Sequence, residues 1–428
     1  MSGNLNSTAK HQCAFCESSN LTEVLDLGEV ALAGGFLKQE QFADEPTFPL
    51  RVYFCNDCLA VQVIDIVDPK LMFQDYFYFS SQIRTLREHF SDFATEVTSR
   101  FLEPENATVL EFGCNDGVLL RPLSTQGIKT LIGVDPATNI ISNIDREKIK
   151  LINNFFTEDV SEEVVAEYGH ADMVIGNNVY AHIPDICGVT RAIKNVLKED
   201  GVFIFEVHYL GKIIQGLQYD MIYHEHLYYY SLLALENHFK RHGMVVFDVK
   251  PIQIHGGSMR YYVCKEGSVH AKNISNRVLD LRNEELSIGY HLPETYSRFA
   301  SLVKERRATL MNFLHQLKDS GLKVAGYGAS GRANTIIQYC GINHDLMEYM
   351  IDDAPAKEGF FTPGSHFKIY NNKQLKNDPP DYLLIFAWSF INEIAAKCEE
   401  YLSGGGRLLV PLPEVRLIMN PSSLKLEK

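Results

Sequence analysis

A short apolar strand that runs into a glycine-containing loop constrains the fold of this chain more than any other feature. Residues 108–112 read Thr-Val-Leu-Glu-Phe, and residues 113–117 read Gly-Cys-Asn-Asp-Gly. Three more apolar strand patterns follow before residue 210, with helical stretches between them. Apolar strands that alternate with helices are typical of a parallel sheet that is covered on both faces. We therefore predict a Rossmann-like domain over residues 73–250.

A second α/β pattern occupies residues 251–428. A charged helical stretch leads into an apolar strand at 323–327, and three further strand patterns follow it. Gly326-x-Gly328-x-x-Gly331 matches the spacing of a dinucleotide-binding fingerprint, although one such match is weak evidence. Its acidic partner would be Asp352 or Asp353. We predict a second doubly wound domain with a nucleotide pocket that serves the substrate or, as the alternative, NAD.

Residues 1–72 are predicted to form a small β-rich domain around a zinc ion. Cys13-x-x-Cys16 and Cys55-x-x-Cys58 each place two thiols on one side of a tight turn, and two such pairs can complete a tetrahedral site. Nine cysteines in a chain of 428 residues without a secretory leader pattern favour metal binding over disulfides. A closed four-sulfur site is structural because it leaves no position for water. The alternatives are two unrelated reduced pairs or a redox pair.

The loop at 113–117 favours S-adenosylmethionine over a dinucleotide as the cofactor. Backbone N–H groups of such a loop can hold a carboxylate, and Asp135, at the end of the next strand, can accept hydrogen bonds from a ribose diol. The loop has two glycines where the dinucleotide fingerprint has three. Asp116 would repel a pyrophosphate but would attract the amino group of the methionine part. The residues predicted to bind the cofactor here are Glu111, Gly113, Cys114, Asn115, Asp116, Gly117, Asp135, Pro136, Asn177 and Asn178.

The densest group of ionisable side chains is the segment Tyr223-His224-Glu225-His226. Its spacing is not that of a zinc protease helix, and two histidines without a third ligand make a weak metal site. Imidazole, with an ordinary pKa of about 6.5, can exchange a proton near neutral pH, so we interpret this segment as catalytic rather than as a solvated polar loop. His182 follows the third strand of the central domain, where ligands of parallel sheets bind, and is expected near the methyl donor.

Together these motifs resemble those of the deoxysugar C-methyltransferases that act on nucleotide-activated 4-keto hexoses. The resemblance covers nearly the whole chain. Besides the two cysteine pairs, it rests on Tyr76-x-Tyr78-x-Ser80-Ser81, Glu111 to Gly117, Asn177-Asn178-x-x-Ala181-His182, Tyr223 to His226, His255-Gly-Gly-Ser258-x-Arg260, Gly326-Tyr-Gly-Ala329, Asp352-Asp353-x-Pro355-x-Lys357 and Thr362-Pro-Gly364. Two positions differ: Cys114 stands where the family often has Ser, and residues 365–369 lack the usual His-Ile-Pro-Ile form.

The resemblance implies that the central domain binds S-adenosylmethionine and that the C-terminal Rossmann-like domain helps to hold the sugar nucleotide. It implies that His226 is the general base that removes a proton beside the sugar ketone. Tyr223, Glu225 and His182 would orient the substrate and stabilise the enolate. Tyr78 is implied as a further catalytic residue, with Tyr76 as its alternative or as a cofactor contact. The substrate-binding residues that the resemblance implies are His224, His255, Ser258, Arg260, Tyr327, Arg332, Asp353 and Lys357.

Charge and hydropathy narrow the choice of partners. A net charge of −14 opposes binding to a phosphate backbone, so no nucleic-acid partner is expected. The sequence contains no run of about 18 apolar residues, so a membrane span is not expected. We expect a cytoplasmic monomer or weak homo-oligomer. The expected function is C-methylation of a nucleotide-activated keto-deoxysugar next to its ketone, at C3 of a 4-keto hexose. The alternatives are an NAD-dependent sugar-nucleotide oxidoreductase or epimerase and a zinc-ribbon adaptor.

Overall fold

The computed structural model of the protein describes residues 7–73, 80–142, 144–254 and 256–419. They form a small β-rich region followed by two α/β regions with mainly parallel sheets, which confirms the predicted fold class. Within these ranges, no helix has both the length and the apolar composition that a membrane crossing requires.

The N-terminal region is built of short antiparallel strands. Its elements are β1 (Ser7–Ala9), β2 (Leu21–Ala31), β3 (Thr47–Cys55), β4 (Val61–Val63), β5 (Asp65–Val67) and helix α1 (Pro69–Phe73). β2, β3 and β4 form one antiparallel sheet, while β1 pairs with β5. Alternate residues of β3, from Phe48 to Phe54, are buried because successive side chains of a strand point to opposite faces. This apolar face packs against the C-terminal region, where Phe54 stacks on Tyr296 with ring centroids 4.5 Å apart.

The central region is a seven-stranded sheet with helices on both faces. Its elements are α2 (Arg84–Phe101), β6 (Thr108–Phe112), α3 (Leu120–Thr125), β7 (Thr130–Val134), α4 (Thr138–Ile141), β8 (Lys150–Ile152), α5 (Glu158–Tyr168), β9 (Ala171–Ile175), α6 (Ile186–Val196), β10 (Leu197–His208), α7 (Leu210–Gln215), β11 (Tyr228–Tyr229), α8 (Leu232–Arg241), β12 (Met244–Ile252) and β13 (Ser258–Lys265). The strand order is β12-β13-β10-β9-β6-β7-β8, in which β13 alone runs antiparallel to its neighbours. The sheet thus extends beyond residue 250, at which we predicted the central domain to end.

Strand β6 shows why this sequence folds as the centre of a covered sheet. All five of its residues are buried. Val109 packs with α2 and α3 on one face, while Leu110 packs with α5 and α6 on the other. A strand with helices on both sides has no solvated face, so its sequence is mainly apolar, with the charged Glu111 as an exception.

The C-terminal region is a second doubly wound sheet. Its elements are α9 (Asn276–Ile288), α10 (Pro293–Asp319), β14 (Val324–Tyr327), α11 (Gly331–Cys340), β15 (Met350–Ile351), β16 (Ile369–Tyr370), α12 (Gln374–Asn377), β17 (Tyr382–Ile385), α13 (Ile391–Lys397), α14 (Glu399–Ser403), β18 (Arg407–Val410) and β19 (Arg416–Ile418). The strand order is β16-β15-β14-β17-β18-β19, with the first five strands parallel and β19 antiparallel. The predicted α/β pattern of this region is confirmed.

The three regions are joined by hydrogen bonds as well as by apolar packing. β11, from the central region, pairs antiparallel with β4 and so completes a four-stranded N-terminal sheet. Gln338 on α11 bonds the backbone of Ala31, accepting from its N–H at 2.7 Å and donating to its carbonyl at 3.4 Å. The central and C-terminal regions therefore both contact the same small domain.

Candidate active site

The loop after β6 is shaped by a glycine that has no room for a side chain. Gly113 has a φ of 64°, and a Cβ placed on it would lie 2.7 Å from Val179 Cγ2. Its N–H donates to the carbonyl of Val134 at 2.8 Å. Asp135 accepts hydrogen bonds from the N–H groups of Asn115 and Ala137, both at 2.9 Å. The loop is thus held against the ends of β7 and β9 with its backbone fixed before any ligand binds.

Polar atoms without partners converge at this edge of the sheet. Among the described residues, Glu111 Oε2, Asn177 Nδ2 and Asn178 Oδ1 are buried and make no hydrogen bond. Burial raises the pKa of Glu111 well above its ordinary value, and the charges of Asp135 and Asp116 raise it further. Each buried polar group left unsatisfied costs about 1–3 kcal/mol. This edge therefore fits S-adenosylmethionine, whose amino and hydroxyl groups would satisfy such atoms.

Asp116 has a partner that the sequence did not predict. Its carboxylate accepts hydrogen bonds from the N–H of Ser81, at 3.3 Å, and from the Ser81 hydroxyl. Ser80 N–H donates to the side chain of Asn115 at 3.1 Å. The loop therefore anchors the chain that leaves the aromatic segment, in which Tyr76 and Tyr78 lie outside the described residues. The interaction of Asp116 with a methionine amino group stays a prediction.

Three aromatic side chains surround the predicted base, His226. The His226 ring lies 5.1 Å from that of His182, 4.0 Å from that of Tyr223 and 5.3 Å from that of His208, measured between ring centroids. His226 Nδ1 lies 2.8 Å from the carbonyl oxygen of Met221. Because a carbonyl only accepts, Nδ1 carries the proton of the neutral ring and the lone pair is on Nε2. In this tautomer, Nε2 is the ring nitrogen that can accept a proton.

His182 is connected to the cofactor loop and to the base. It stands three residues after Val179, which packs on Gly113, and Ala181 accepts a hydrogen bond from Leu227 N–H at 2.9 Å. Burial lowers the pKa of His182 well below its ordinary value, and the neighbouring charge of His226 lowers it further. His182 is therefore neutral at physiological pH and can donate a hydrogen bond without adding charge.

The segment from Tyr223 to Glu225 contacts both flanking regions. Tyr223 Cζ lies 3.6 Å from the Cβ position of Gly331, and Glu225 Oε1 lies 3.4 Å from that of Gly34. His224 is buried, and its Nε2 donates to the carbonyl of Pro49 at 3.1 Å. Burial lowers the pKa of His224. His224 thus points into the N-terminal sheet, away from the ring of His226.

The glycines of the C-terminal fingerprint are explained by packing. A Cβ on Gly328 would lie 2.7 Å from Ala387 Cβ, and one on Gly331 would lie 3.3 Å from Ala33 Cβ. The space in front of Gly331 is filled by Ala33 and Tyr223. A pyrophosphate therefore has no direct approach to this glycine, which argues against NAD.

Arg332 and two residues that the sequence analysis did not select form a buried polar group at the same edge. The Arg332 side chain lies 2.8 Å from Asp220 Oδ2, which also accepts from Trp388 Nε1–H at 2.8 Å. Arg332 lies over the Trp388 ring, 4.8 Å from its centroid. Within the described chain, Asp220 Oδ1 has no hydrogen-bond partner. The one tryptophan of the chain, placed just after a parallel strand, is the sequence signal that could have indicated this group.

The other implied substrate residues are spread over two regions. Tyr327 donates to Asp353 at 2.8 Å, and Lys357 Nζ donates to the carbonyl of Ala329 at 2.6 Å, so these lie together beside β14. Ser258 donates to the carbonyl of Ile254 at 3.3 Å, within the central region. His255 lies outside the described residues.

Arg260 is held within the central region by buried ion pairs. Its guanidinium is 2 % exposed and lies 2.6 Å from Glu206, 3.0 Å from Glu96 and 3.7 Å from the centroid of the Phe93 ring. Glu206 also accepts from His89 at 2.7 Å. Arg260 is thus fully engaged in an ion-pair network between the sheet and α2.

The stretch at 365–369 that differs from the family pattern contacts the N-terminal region. The His366 ring stacks on Phe42 with centroids 3.8 Å apart, and its Nε2 lies 2.7 Å from Glu45 Oε2. Gly364 N–H donates to Glu45 Oε1 at 2.9 Å. The difference therefore falls at a contact between two regions.

The four predicted zinc ligands come together. Cys13 and Cys58 have their sulfurs 3.5 Å apart, Cys16 and Cys55 have theirs 3.6 Å apart, and all four lie within 4.8 Å of one another. A tetrahedral zinc ion with Zn–S bonds of about 2.3 Å needs sulfurs roughly 3.8 Å apart. In both turns the residue after the second cysteine has a left-handed φ, 61° at Glu17 and 69° at Leu59. The two turns are thus alike, and the four sulfurs fit a closed zinc site.

Three family profiles match the chain in succession. A zinc binding domain profile matches residues 13–73, a methyltransferase domain profile matches residues 86–249, and a C-methyltransferase C-terminal domain profile matches residues 253–413.

Individual proteins match over different shares of the chain. The C-methyltransferase NovU of Streptomyces niveus is 33% identical over 414 residues, which cover 96% of this chain and 98% of that protein. A ubiquinone biosynthesis O-methyltransferase of Neisseria meningitidis serogroup C is 25% identical over 185 residues, or 38% of this chain and 74% of that protein. Among solved structures, an S-adenosylmethionine-dependent methyltransferase from Clostridium acetobutylicum aligns with 42% of this chain and 92% of its own, at 17% identity and a TM-score of 0.32.

Proposed function

The chain belongs to the S-adenosylmethionine-dependent C-methyltransferases with an N-terminal zinc-binding domain, and from this membership we propose that it methylates a nucleotide-activated keto-deoxysugar. The acceptor that we propose is a carbon next to the ketone, C3 of a 4-keto hexose. The predicted cofactor and the predicted structural zinc are both confirmed by this membership. The observation that carries the proposed reaction is the 2.8 Å contact between His226 Nδ1 and the Met221 carbonyl, from which we infer that the basic lone pair is on Nε2.

Proton removal is the first step that we propose. His226 Nε2 takes the proton from the carbon next to the ketone, and the electron pair of that C–H bond moves into the enolate. The carbonyl of Met221, 2.8 Å from Nδ1, stabilises the imidazolium that forms. Proton transfer by a positioned base of this kind contributes about 10²–10⁴-fold in rate.

Hydrogen bonds to the enolate oxygen are the second contribution. The Tyr223 hydroxyl and the neutral His182 ring flank His226, and we assign them to the oxygen that gains negative charge. One such donor contributes about 3–4 kcal/mol in other enzymes that stabilise an oxyanion. When bound, S-adenosylmethionine supplies the electrophilic methyl group that the enolate carbon attacks. His226 then releases its proton to solvent, which restores the base.

The C-terminal region is proposed to hold the nucleotide part of the substrate. Arg332 stands at the start of α11, directly after Gly331, which packs on Tyr223. The Arg332 guanidinium, rather than the covered backbone at Gly331, is the group that we propose to pair with the phosphate oxygens. Tyr327 ends β14, and Asp353 and Lys357 follow β15 at the same sheet edge.

The test is proton exchange followed by product analysis. The protein is incubated in deuterated water with a nucleotide-linked 4-keto-6-deoxyhexose and S-adenosylhomocysteine, and NMR follows deuterium at the carbons next to the ketone. Exchange at C3 is expected in the wild type and in His170→Ala, whose histidine is exposed, but not in His226→Ala. With S-adenosylmethionine, the product is expected to carry a new C–CH₃ group. Methylation on oxygen or nitrogen, or exchange that persists in His226→Ala, would contradict the proposal.

A further inference from the structure

A second cluster of metal-ligating side chains lies beside the four-cysteine site. Cys187 on α6, His238 on α8 and His242 at the end of α8 place one ligand atom each within 4.8 Å of one another. His238 and His242 are four residues apart, so they lie on one face of the helix. Cys187 Sγ lies 3.4 Å from the carbonyl oxygen of Ala14, between the zinc ligands Cys13 and Cys16. None of these three residues takes part in the proposed reaction.

The hydrogen bonds around His238 fix its tautomer. The Thr190 hydroxyl donates its one proton to the carbonyl of Ile186 at 2.6 Å. The Thr190 oxygen can therefore only accept from its other neighbours, Tyr180 OH at 2.6 Å and His238 Nε2 at 2.7 Å. His238 Nε2 thus carries the proton of the neutral ring, and the lone pair is on Nδ1.

The remaining nitrogen of His238 has the properties of a metal ligand. His238 is fully buried, and among the described residues its Nδ1 has no hydrogen-bond partner. Metal-binding histidines typically donate their other N–H to an oxygen that orients the ring, as His238 does to Thr190. A buried lone pair without a donor costs free energy, and a cation bound to Nδ1 would remove that cost.

We propose that Cys187, His238 and His242 bind a second Zn²⁺ ion, with water as the fourth ligand. One thiolate and two imidazoles are a ligand set that zinc accepts, and Zn–N and Zn–S bonds of about 2.0–2.3 Å place ligand atoms roughly 3.3–3.8 Å apart. From their limit of 4.8 Å, the three atoms need to approach one another by about 1.0–1.5 Å at most. Cys187 and His242 are partly exposed, which gives the ion and its water a path to the site. Binding releases the thiol proton to solvent.

Such a site would join the N-terminal domain to two helices of the central domain. Cys187 contacts the backbone between two ligands of the first zinc ion, and α6 begins four residues after His182. The bound ion would therefore restrain the loop that carries His182. This role is separate from the closed four-sulfur site, which holds its own domain together.

Metal content of the full chain tests the proposal without substrate, so its outcome is independent of the proposed reaction. After equilibration with Zn²⁺ and removal of free metal, elemental analysis is expected to find about two zinc ions per wild-type chain and about one in Cys187→Ser and in His242→Gln. His170→Ala, which removes an exposed histidine, is the control and is expected to keep both.

Cobalt identifies the ligand. Co²⁺ added to chains that keep zinc on the four cysteines is expected to give a thiolate-to-cobalt absorption band that Cys187→Ser abolishes. A wild type that binds one zinc ion would overturn the proposal. So would a second ion that remains in both variants or that is lost in the control, since it would then be held by other surface groups.

Discussion

Replacing Arg260 with Met tests whether this residue supports the fold or holds the substrate. Its Nε and Nη2 both lie 2.6 Å from Glu206 Oε1, and its Nη1 lies 3.0 Å from Glu96 Oε2. Glu206 is fully buried, so the substitution would leave its charge with His89 as the remaining partner among those described. Burial by itself would raise the pKa of Glu206, but His89 and Arg260 hold it below its ordinary value. The carboxylate therefore stays ionised and needs its cation.

The expected loss of stability is large because the pair is buried. Removing one partner of a buried ion pair costs about 3–5 kcal/mol, whereas an exposed pair contributes about 1 kcal/mol or less. Arg191 and Glu158 form a matched exposed pair, with side chains 50% and 46% exposed and two hydrogen bonds of 2.9 and 2.7 Å. We expect Arg260→Met to lower the free energy of unfolding by several times the loss in Arg191→Met.

Urea denaturation followed by circular dichroism measures both variants. The double variant Arg260→Met/Glu206→Gln is expected to recover part of the loss, because it no longer buries an unpaired charge. S-adenosylhomocysteine affinity is expected to fall as well, since Glu206 N–H donates to Asn177 Oδ1 at 3.0 Å. If Arg260→Met unfolds like the wild type but fails to bind the sugar nucleotide, the structural role is wrong and the substrate role implied by the resemblance is right.

Three further predictions concern the cofactor loop, a buried acid and the zinc domain. Gly113→Ala is expected to weaken S-adenosylhomocysteine binding in calorimetry by tenfold or more. Gly127 has a similar left-handed φ of 81°, but a Cβ placed on it would lie 4.0 Å from its nearest neighbour, so Gly127→Ala should cost only about 1–2 kcal/mol of stability. Equal affinities in the two variants would count against the packing argument. Burial raises the pKa of Glu285 from 4.5 to about 7. The folded state therefore holds a proton that the unfolded state loses, so the free energy of unfolding should fall by about 3 kcal/mol as pH rises from 4.5 to 7. If the free energy of unfolding of Glu285→Gln, measured by denaturation across this pH range, falls as steeply as that of the wild type, this reasoning is refuted. Cys55→Ser, or chelation of the four-cysteine zinc, is expected to lower the melting temperature and the rate of methyl transfer with little effect on S-adenosylhomocysteine affinity. Unchanged turnover after zinc loss would disprove that the zinc domain helps to position the proposed base.

Much of the fold follows from local sequence pattern. The strands at 108–112 and 130–134 lie where their apolar runs predict them, and each is followed directly by the loop that begins at Gly113 or Asp135. β11 could not be predicted in the same way, since two tyrosines pair with a strand more than 160 residues earlier in the chain. The central sheet also continues past residue 250, to the end of β13 at Lys265. β13 pairs with both β12 and β10, and nothing in the local pattern states which sheet such a strand completes.

The site shows the same division between local and long-range information. The loop and its acidic neighbour were predictable because a strand, a turn and a helix follow each other directly. The contacts of the Arg260 side chain were not predictable, because its motif is equally compatible with binding a substrate and with binding Glu206. Arg260 lies on β13 directly opposite Glu206, and this long-range pairing accounts for the ion pair. Asp220 and Trp388 could not be joined from sequence because they are 168 residues apart and belong to different domains.

The placement of the proposed base, His226, gives a reason why the proposed reaction would need three domains. Along four successive residues, Tyr223 contacts the C-terminal domain at Gly331, His224 bonds the N-terminal sheet at Pro49, and Glu225 approaches Gly34. His226 alone turns back toward the central domain, where Met221 sets its tautomer. The segment lacks the hydrogen-bond ladder of a helix or a long strand, so its conformation depends on these contacts with both neighbours. The cofactor edge is built from β6, β7 and β9 of the central sheet and does not depend on them. Loosening the zinc domain should therefore displace the base from the methyl donor while the donor still binds.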